Sequence, residues 1–64
     1  MRSIWNTAIT KMNGNFKFHR TDYGTQKEFR EELKANGYQV IKMFNGYMSD
    51  EYCDEWLFEN RKDY

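Results

Sequence analysis

The dipeptide Asn13-Gly14 constrains the fold of this chain more than any other feature. The residues on either side of it are rich in β-branched and aromatic types. Asparagine and glycine both tolerate positive φ, which a two-residue type I′ turn requires. The sequence therefore predicts a β-hairpin that turns at residues 13–14.

The turn also fixes how the two strands pair. The predicted opposite pairs are Met12–Asn15, Lys11–Phe16, Ile9–Phe18 and Thr7–Arg20. One face then collects the large apolar residues Trp5, Ile9, Phe16 and Phe18. The other face carries Asn6, Thr10, Lys17 and His19 with the smaller apolar Ile4, Ala8 and Met12. Because this register sorts the large side chains onto one face, we expect that face to lie against the core.

Residues 23–38 predict an α-helix. Thr25 and Glu28 match the capping-box pattern, in which each side chain bonds a free backbone N–H at the helix start. Gly37 follows the helix where a left-handed residue is wanted. At about 100° per residue, Phe29 and Leu33 share one narrow apolar face. An adjacent stripe is basic and contains Lys27, Arg30 and Lys34.

Residues 38–44, YQVIKMF, predict a third strand between two glycine-containing turns. Strict alternation places Val40 and Phe44 on one side of it and Ile41 and Met43 on the other. A strand that is apolar on both sides either has both faces covered or leaves one face for a partner.

The segment SDEYCDEWLFEN, residues 49–60, predicts a second helix. Ser49 is the expected N-cap, and the acids that follow it favour the positive end of the helix dipole. Met48 is expected to pack onto Cys53 as a hydrophobic staple. The arc expected to face the core contains Tyr52, Cys53, Trp56, Leu57 and Asn60. The opposite arc is acidic, with Glu51, Asp54 and Glu55, and Phe58 falls among these acids.

The predicted order is β-β-α-β-α, a single small α+β domain over residues 1–64. A right-handed crossover from the second strand to the third would place the third beside the first. The prediction is a three-stranded antiparallel or mixed sheet of order 2-1-3. Both helices are expected on one face, which leaves the other face open.

Composition excludes several classes of site. Cys53 is the only cysteine and His19 the only histidine, so neither a disulfide framework nor a cysteine-rich zinc site is expected. We expect no cofactor and no metal. A single thiol suits a reducing compartment, and neither an apolar span nor a signal-peptide core is present. The sequence predicts a cytoplasmic protein without a membrane partner.

No catalytic arrangement is predicted. The candidates are His19, Asp22 and Cys53, but the expected fold places Cys53 on the core side of the last helix and His19 on the sheet. A nucleophile needs a base within hydrogen-bond reach. Neighbouring carboxylates such as Asp54 and Glu55 diverge on a helix, so they form a solvated face rather than a dyad. We expect a protein that is not an enzyme.

Aromatic content and charge distribution favour protein binding. Aromatic residues make up 19% of the chain, more than a small core is expected to hold. Residues 1–36 carry seven Lys/Arg against four acids, and residues 37–64 carry three against six. Exposed aromatics anchor interfaces, and complementary charge orients partners. The alternative is that these opposite charges pair across the folded surface.

We therefore expect a small protein-binding module. Its size and its content of Asn, Lys, Met and aromatics suit a phage-type accessory protein that binds and inhibits or redirects a host enzyme. One predicted surface is on the last helix: Glu51, Asp54, Glu55 and Phe58. The other is the outer sheet face around Met12, Lys17, His19, Ile41 and Met43, through which the chain could also form a homodimer.

The alternative function is nucleic-acid binding. Basic and aromatic residues interleave in NFKFHR and KEFREELK, as in modules that stack bases and track phosphates. The candidate residues are Lys17, His19, Arg20, Lys27, Arg30 and Lys34. Against this alternative, the hairpin register turns Phe16 and Phe18 toward the core. The net charge of zero also lacks the basic field of such modules.

Overall fold

The computed structural model describes residues 5–64. Its elements are β1 (Asn6–Met12), β2 (Asn15–Thr21), α1 (Gln26–Ala35), β3 (Gln39–Asn45) and α2 (Asp50–Asn60), followed by a short 3₁₀ turn, Arg61–Asp63. The three strands are antiparallel in the order β2-β1-β3 and form an open sheet. The predicted α+β class, element order and sheet order are confirmed.

The hairpin has the predicted register. Met12 pairs with Asn15 and Ile9 pairs with Phe18, and the pairing continues to Asn6 opposite Thr21. Asn13 and Gly14 have φ angles of 52° and 82°, both in the region that a type I′ turn requires. Ile4, which the sequence placed on the second face, lies outside the described residues.

Both ends of α1 are capped as the sequence predicts. The Thr25 hydroxyl accepts from the Glu28 backbone N–H at 3.1 Å, and the Glu28 carboxylate accepts from the Thr25 N–H at 3.0 Å. At the other end Gly37 has φ 91°. The Tyr38 N–H donates to the Leu33 carbonyl and the Gly37 N–H to the Lys34 carbonyl. These two bonds form a Schellman motif, which ends the helix.

The prediction that both helices lie on one face is wrong. Ala8 packs with Phe29 and Leu33 of α1 in one buried cluster, the α1 cluster. Ile9 packs with Cys53 and Leu57 of α2 in a second, the α2 cluster. Consecutive side chains of a strand point to opposite faces of the sheet. The helices therefore cover opposite faces, and the fold has three layers, with the sheet between α1 and α2.

A bulge in β3 changes which of its side chains face each helix. Ile9 pairs with Lys42 and Thr10 pairs with Val40, so Ile41 has no partner on β1. The extra residue reverses the alternation beyond it. Val40 therefore lies with Met43 in the α1 cluster and Phe44 in the α2 cluster, rather than Val40 with Phe44 as strict alternation predicted. Both faces of β3 thus have apolar residues for a helix to cover.

The central strand is buried along most of its length although much of it is polar. Asn6, Thr7 and Thr10 are all buried, and the two threonines have no exposed surface. The Thr7 and Thr10 hydroxyls both have hydrogen-bond partners, which removes most of the cost of burying them. Within residues 5–64, no helix has the length and apolar character needed to cross a membrane.

Candidate protein-binding surface

Arg20 on β2 fixes the start of α2. Its Nε donates to the Met48 carbonyl at 2.7 Å, and its guanidinium forms an ion pair with Asp50 in the first helical turn. The same guanidinium lies 5.0 Å from the centre of the Tyr47 ring, a distance at which cation–π attraction operates. The hydrogen bond to Asp50 also raises the pKa of Arg20. One side chain thus contacts three successive parts of the connection into α2.

Thr7 of β1 hydrogen bonds to the same connection. Its hydroxyl donates to the Gly46 carbonyl at 2.8 Å and accepts from the Met48 N–H at 3.0 Å. Ser49 then caps the helix by accepting from the Tyr52 N–H at 3.1 Å, as predicted. These contacts fix where α2 begins and therefore which of its faces turns away from the sheet.

The inward face of α2 is structural. Cys53 and Leu57 are buried against Ile9, and the half-buried Met48 packs on the same cluster, in agreement with the predicted staple. Burial raises the pKa of the Cys53 thiol, so the thiol is neutral at physiological pH and acts as a small apolar group. On one flank, the Phe44 ring contacts Tyr52 at 5.5 Å and Trp56 at 6.2 Å between centroids.

The outward face of α2 is acidic around one aromatic ring. We call it the α2 acidic face; its members, all exposed, are Glu51, Asp54, Glu55, Phe58 and Glu59. Phe58 is 75% exposed, the highest value among the exposed large hydrophobic residues. A shallow depression of about 490 Å³ is lined by Phe58 and three of the acids, Asp54, Glu55 and Glu59. Arg61 lies 5.8 Å from the Phe58 ring centre.

Glu59 was not among the predicted residues of this surface. It follows Glu55 by four positions, a spacing that puts two side chains on one helix face, so the sequence did contain the signal. Across residues 5–64, the one ion pair is Arg20–Asp50. The four carboxylates of the α2 acidic face therefore have no cationic partner within the described part of the chain.

The second predicted surface is not one open sheet face, because α1 covers its β1 and β3 part. Met43 packs against the α1 cluster and is half-buried. Met12 lies against the turn that ends α1: a Cβ added at Gly37 would be 3.3 Å from the Met12 Cε. Ile41 is half-buried at the bulge. These three residues do not form one exposed apolar patch.

The six candidate nucleic-acid-binding residues are divided between the two sides of the molecule. Arg20 points to the α2 side and is held by Asp50. Lys17 and His19 lie on the α1 side of β2, and there Glu28 and Glu32, not the basic stripe, face His19 across a groove. Lys27, Arg30 and Lys34 are exposed on the remaining surface of α1. No continuous basic track joins all six.

His19 is half-buried between neighbouring side chains. Its ring lies 4.6 Å from that of Tyr38, and its Nε2 is 2.9 Å from the Thr10 hydroxyl oxygen. Burial, with a smaller contribution from Lys17, lowers the pKa of His19. These contacts place the His19 ring between Thr10 and Tyr38.

Comparison with protein-family models, with curated proteins and with solved structures found no match. In the part of the chain that the structure describes, no three His, Cys, Asp or Glu side chains are placed to hold a metal ion.

Proposed function

We propose that this protein is a small binding module that presents the α2 acidic face to another protein. The observation that carries the proposal is Phe58, an aromatic residue that is three quarters exposed and has carboxylates around it. Exposure of a large aromatic side chain is unfavourable in water, and interfaces use such side chains as anchors. Phe58 belongs to neither core cluster, so packing does not account for it.

The charge of this surface defines the chemistry of the partner. Four carboxylates that form no ion pair within residues 5–64 favour a basic surface, which would speed encounter and set orientation. An apolar pocket in that surface would receive the Phe58 ring. We propose a partner with Lys or Arg side chains around an apolar depression, and binding that blocks or redirects the partner's own activity.

The proposed biological setting is that of a phage-type accessory protein acting on a host enzyme in the cytoplasm. It is supported by the small size of the chain, its single unpaired thiol and its surplus of exposed aromatics. In this setting the module works by occupying a surface, without chemistry of its own.

A quantitative affinity capture tests the proposal. The tagged protein is compared with Phe58→Ala and Glu55→Lys after incubation with host lysate. Tyr23→Ala and Glu31→Lys are matched controls, because they remove an exposed ring and reverse an exposed charge elsewhere. We expect at least one basic protein whose recovery falls roughly tenfold or more with both test variants. That recovery should be unchanged with both controls.

Two results would contradict the proposal. One is equal recovery of every captured protein by all five forms. The other is loss of recovery with the controls as well as with the test variants, since this would indicate a general effect of charge or solubility.

A further inference from the structure

The edge of the sheet at β2 has unpaired backbone groups. Met12 and Asn15 flank the two-residue turn and form a hydrogen-bonded pair, and such pairs alternate along an antiparallel ladder. The N–H and C=O groups of Phe16, Phe18 and Arg20 therefore point away from β1. Within the described chain, no hydrogen bond involves these backbone groups. A seven-residue edge strand of this kind is a template for another strand.

The two edges of the sheet differ. β3 contains the bulge at Ile41, and a bulge is one of the features by which proteins prevent pairing at an edge. β2 pairs with β1 without any irregularity along its whole length. The regular edge is thus the one that is able to accept a strand.

A groove runs beside β2 on the α1 side of the sheet. α1 packs on Ala8 of β1 and on Val40 and Met43 of β3, and its cluster contains no β2 residue. The space left over β2 is a groove of about 380 Å³. Phe29 and Leu33 contribute its apolar floor, and Glu28 and Glu32 supply two carboxylates along its wall.

Lys17 is complementary to this groove. It is exposed, forms no ion pair among residues 5–64, and shares the α1 side of β2 with His19 two positions away. We propose that the free edge of β2 pairs antiparallel with β2 of a second copy of this chain, centred on Phe18. Lys17 of each copy then enters the groove between β2 and α1 of the other.

The charges select this register. With Phe18 opposite its symmetry mate, Lys17 lies opposite His19 of the other copy, which lines the groove. Phe16 lies opposite Arg20, so the residues with outward-pointing backbone groups bond one another. A register centred on Arg20 would put two guanidinium groups side by side. One centred on Phe16 would move Lys17 toward the turn and away from Glu28 and Glu32.

Helix α1 leaves room for this pairing, because it packs on β1 and β3. A two-fold axis perpendicular to the sheet keeps both α1 helices on the same side. The two β1 strands lie about three strand spacings of about 4.8 Å apart, because both β2 strands lie between them. This distance between the strands beneath the two α1 helices exceeds the diameter of a packed helix, about 10 Å. The result is one continuous sheet across two chains. The pairing uses β2 and α1, so it does not depend on the proposed function of the α2 acidic face.

Sedimentation equilibrium over micromolar to millimolar concentrations tests the pairing. For the wild type, we expect the mass to rise from 7.9 kDa toward twice that value. Lys17→Glu and Glu32→Lys should each weaken self-association more than about tenfold, because symmetry repeats each repulsion. An equimolar mixture of the two variants should dimerise again, since the mixed pair restores both attractive contacts. Lys27→Glu and Glu31→Lys are the charge-matched controls and should dimerise like the wild type.

Amide hydrogen exchange provides a second readout. The N–H groups of Phe16, Phe18 and Arg20 should exchange more slowly as the wild-type concentration rises. A wild type that stays monomeric at millimolar concentration would overturn the proposal and leave this edge for a strand of a different protein. Dimerisation that both variants retain, or that their mixture does not restore, would overturn the proposed register.

Discussion

Ala8 and Ile9 are consecutive residues of β1, both fully buried, and each belongs to a different hydrophobic cluster. Ala8 contacts the α1 side and Ile9 the α2 side. The small residue and the large residue thus match the two layers that cover the central strand.

Ile9→Val should lower the free energy of unfolding by about 0.5–1.5 kcal/mol, and Ile9→Ala by about 2–5 kcal/mol, because deletion leaves a cavity beneath Cys53 and Leu57. Urea denaturation monitored by circular dichroism measures both. Ile41→Val is the control, since Ile41 is half-buried at the bulge and belongs to neither cluster. An equal loss of unfolding free energy in Ile9→Val and Ile41→Val would contradict the placement of Ile9 in a buried cluster.

Ala8→Leu should destabilise the protein by about 1–3 kcal/mol through overpacking beneath Phe29 and Leu33. If both helices lay on one face, residue 8 would point to open solvent and the change would be nearly neutral. The same urea measurement separates the two arrangements. A neutral Ala8→Leu would contradict the placement of α1.

Thr7→Val should cost about 1–3 kcal/mol of unfolding free energy. The substitution keeps the shape but removes the hydroxyl that bonds the Gly46 carbonyl and the Met48 N–H, and this leaves two partly buried groups without that partner. Thr7→Ser keeps the hydroxyl and therefore both bonds. In this variant the Met48 amide should stay protected from hydrogen exchange. Loss of that protection in the serine variant would contradict the hydrogen bond from the Met48 N–H to the residue 7 hydroxyl.

The Arg20–Asp50 ion pair should contribute little by itself. The Asp50 side chain is 74% exposed, and exposed pairs are typically worth about 0–1 kcal/mol. Asp50→Asn should therefore cost less than about 1 kcal/mol. Arg20→Met should cost more, because it also removes the bond to the Met48 carbonyl and the contact with Tyr47. The opposite ranking in urea denaturation would contradict this view of Arg20.

Stability should fall as the pH is lowered through the range in which histidine titrates. The pKa of His19 is lowered in the folded chain by burial and by Lys17, so the unfolded chain takes up the proton first. The stability linked to a neutral His19 is fully present above the pKa of the unfolded chain, about 6.5, and it is lost as the pH falls toward the His19 pKa of the folded chain. One group changes stability by at most about 1.4 kcal/mol per pH unit.

Thermal melts between about pH 7.5 and pH 5.5 measure this effect, a range that spans the ordinary histidine pKa and stays above those of Asp and Glu. His19→Gln should flatten the pH dependence and can still hydrogen bond Thr10. An unchanged pH slope in the glutamine variant would assign the effect to other groups.

The sequence was sufficient for the parts of the fold that local chemistry determines. Asn13-Gly14 predicted the hairpin register, Thr25 and Glu28 the capping box, and Ser49 the start of α2. These signals depend on backbone conformation within a few residues and do not require knowledge of the core. The exposure of Phe58 among acids also followed from helical periodicity.

The helix placement did not follow from the sequence, because it depends on contacts between distant elements. Thr7 and Thr10 are polar by type, yet both are buried with their hydroxyls bonded. The bulge at Ile41 changes which β3 residues face α1, and no local pattern marks it. The apolar residues on both sides of β3 were the available signal that both faces are covered.

Photocrosslinking at position 58 tests whether the α2 acidic face binds another protein. Phe58 is replaced by the photoreactive analogue p-benzoylphenylalanine, and Tyr23 carries the same replacement as the exposed control. After irradiation in host lysate, we expect a discrete adduct with a basic protein from position 58, suppressed by excess unlabelled wild type and absent from position 23. No competable adduct from position 58, or the same adducts from both positions, would contradict the α2 acidic face as a binding surface.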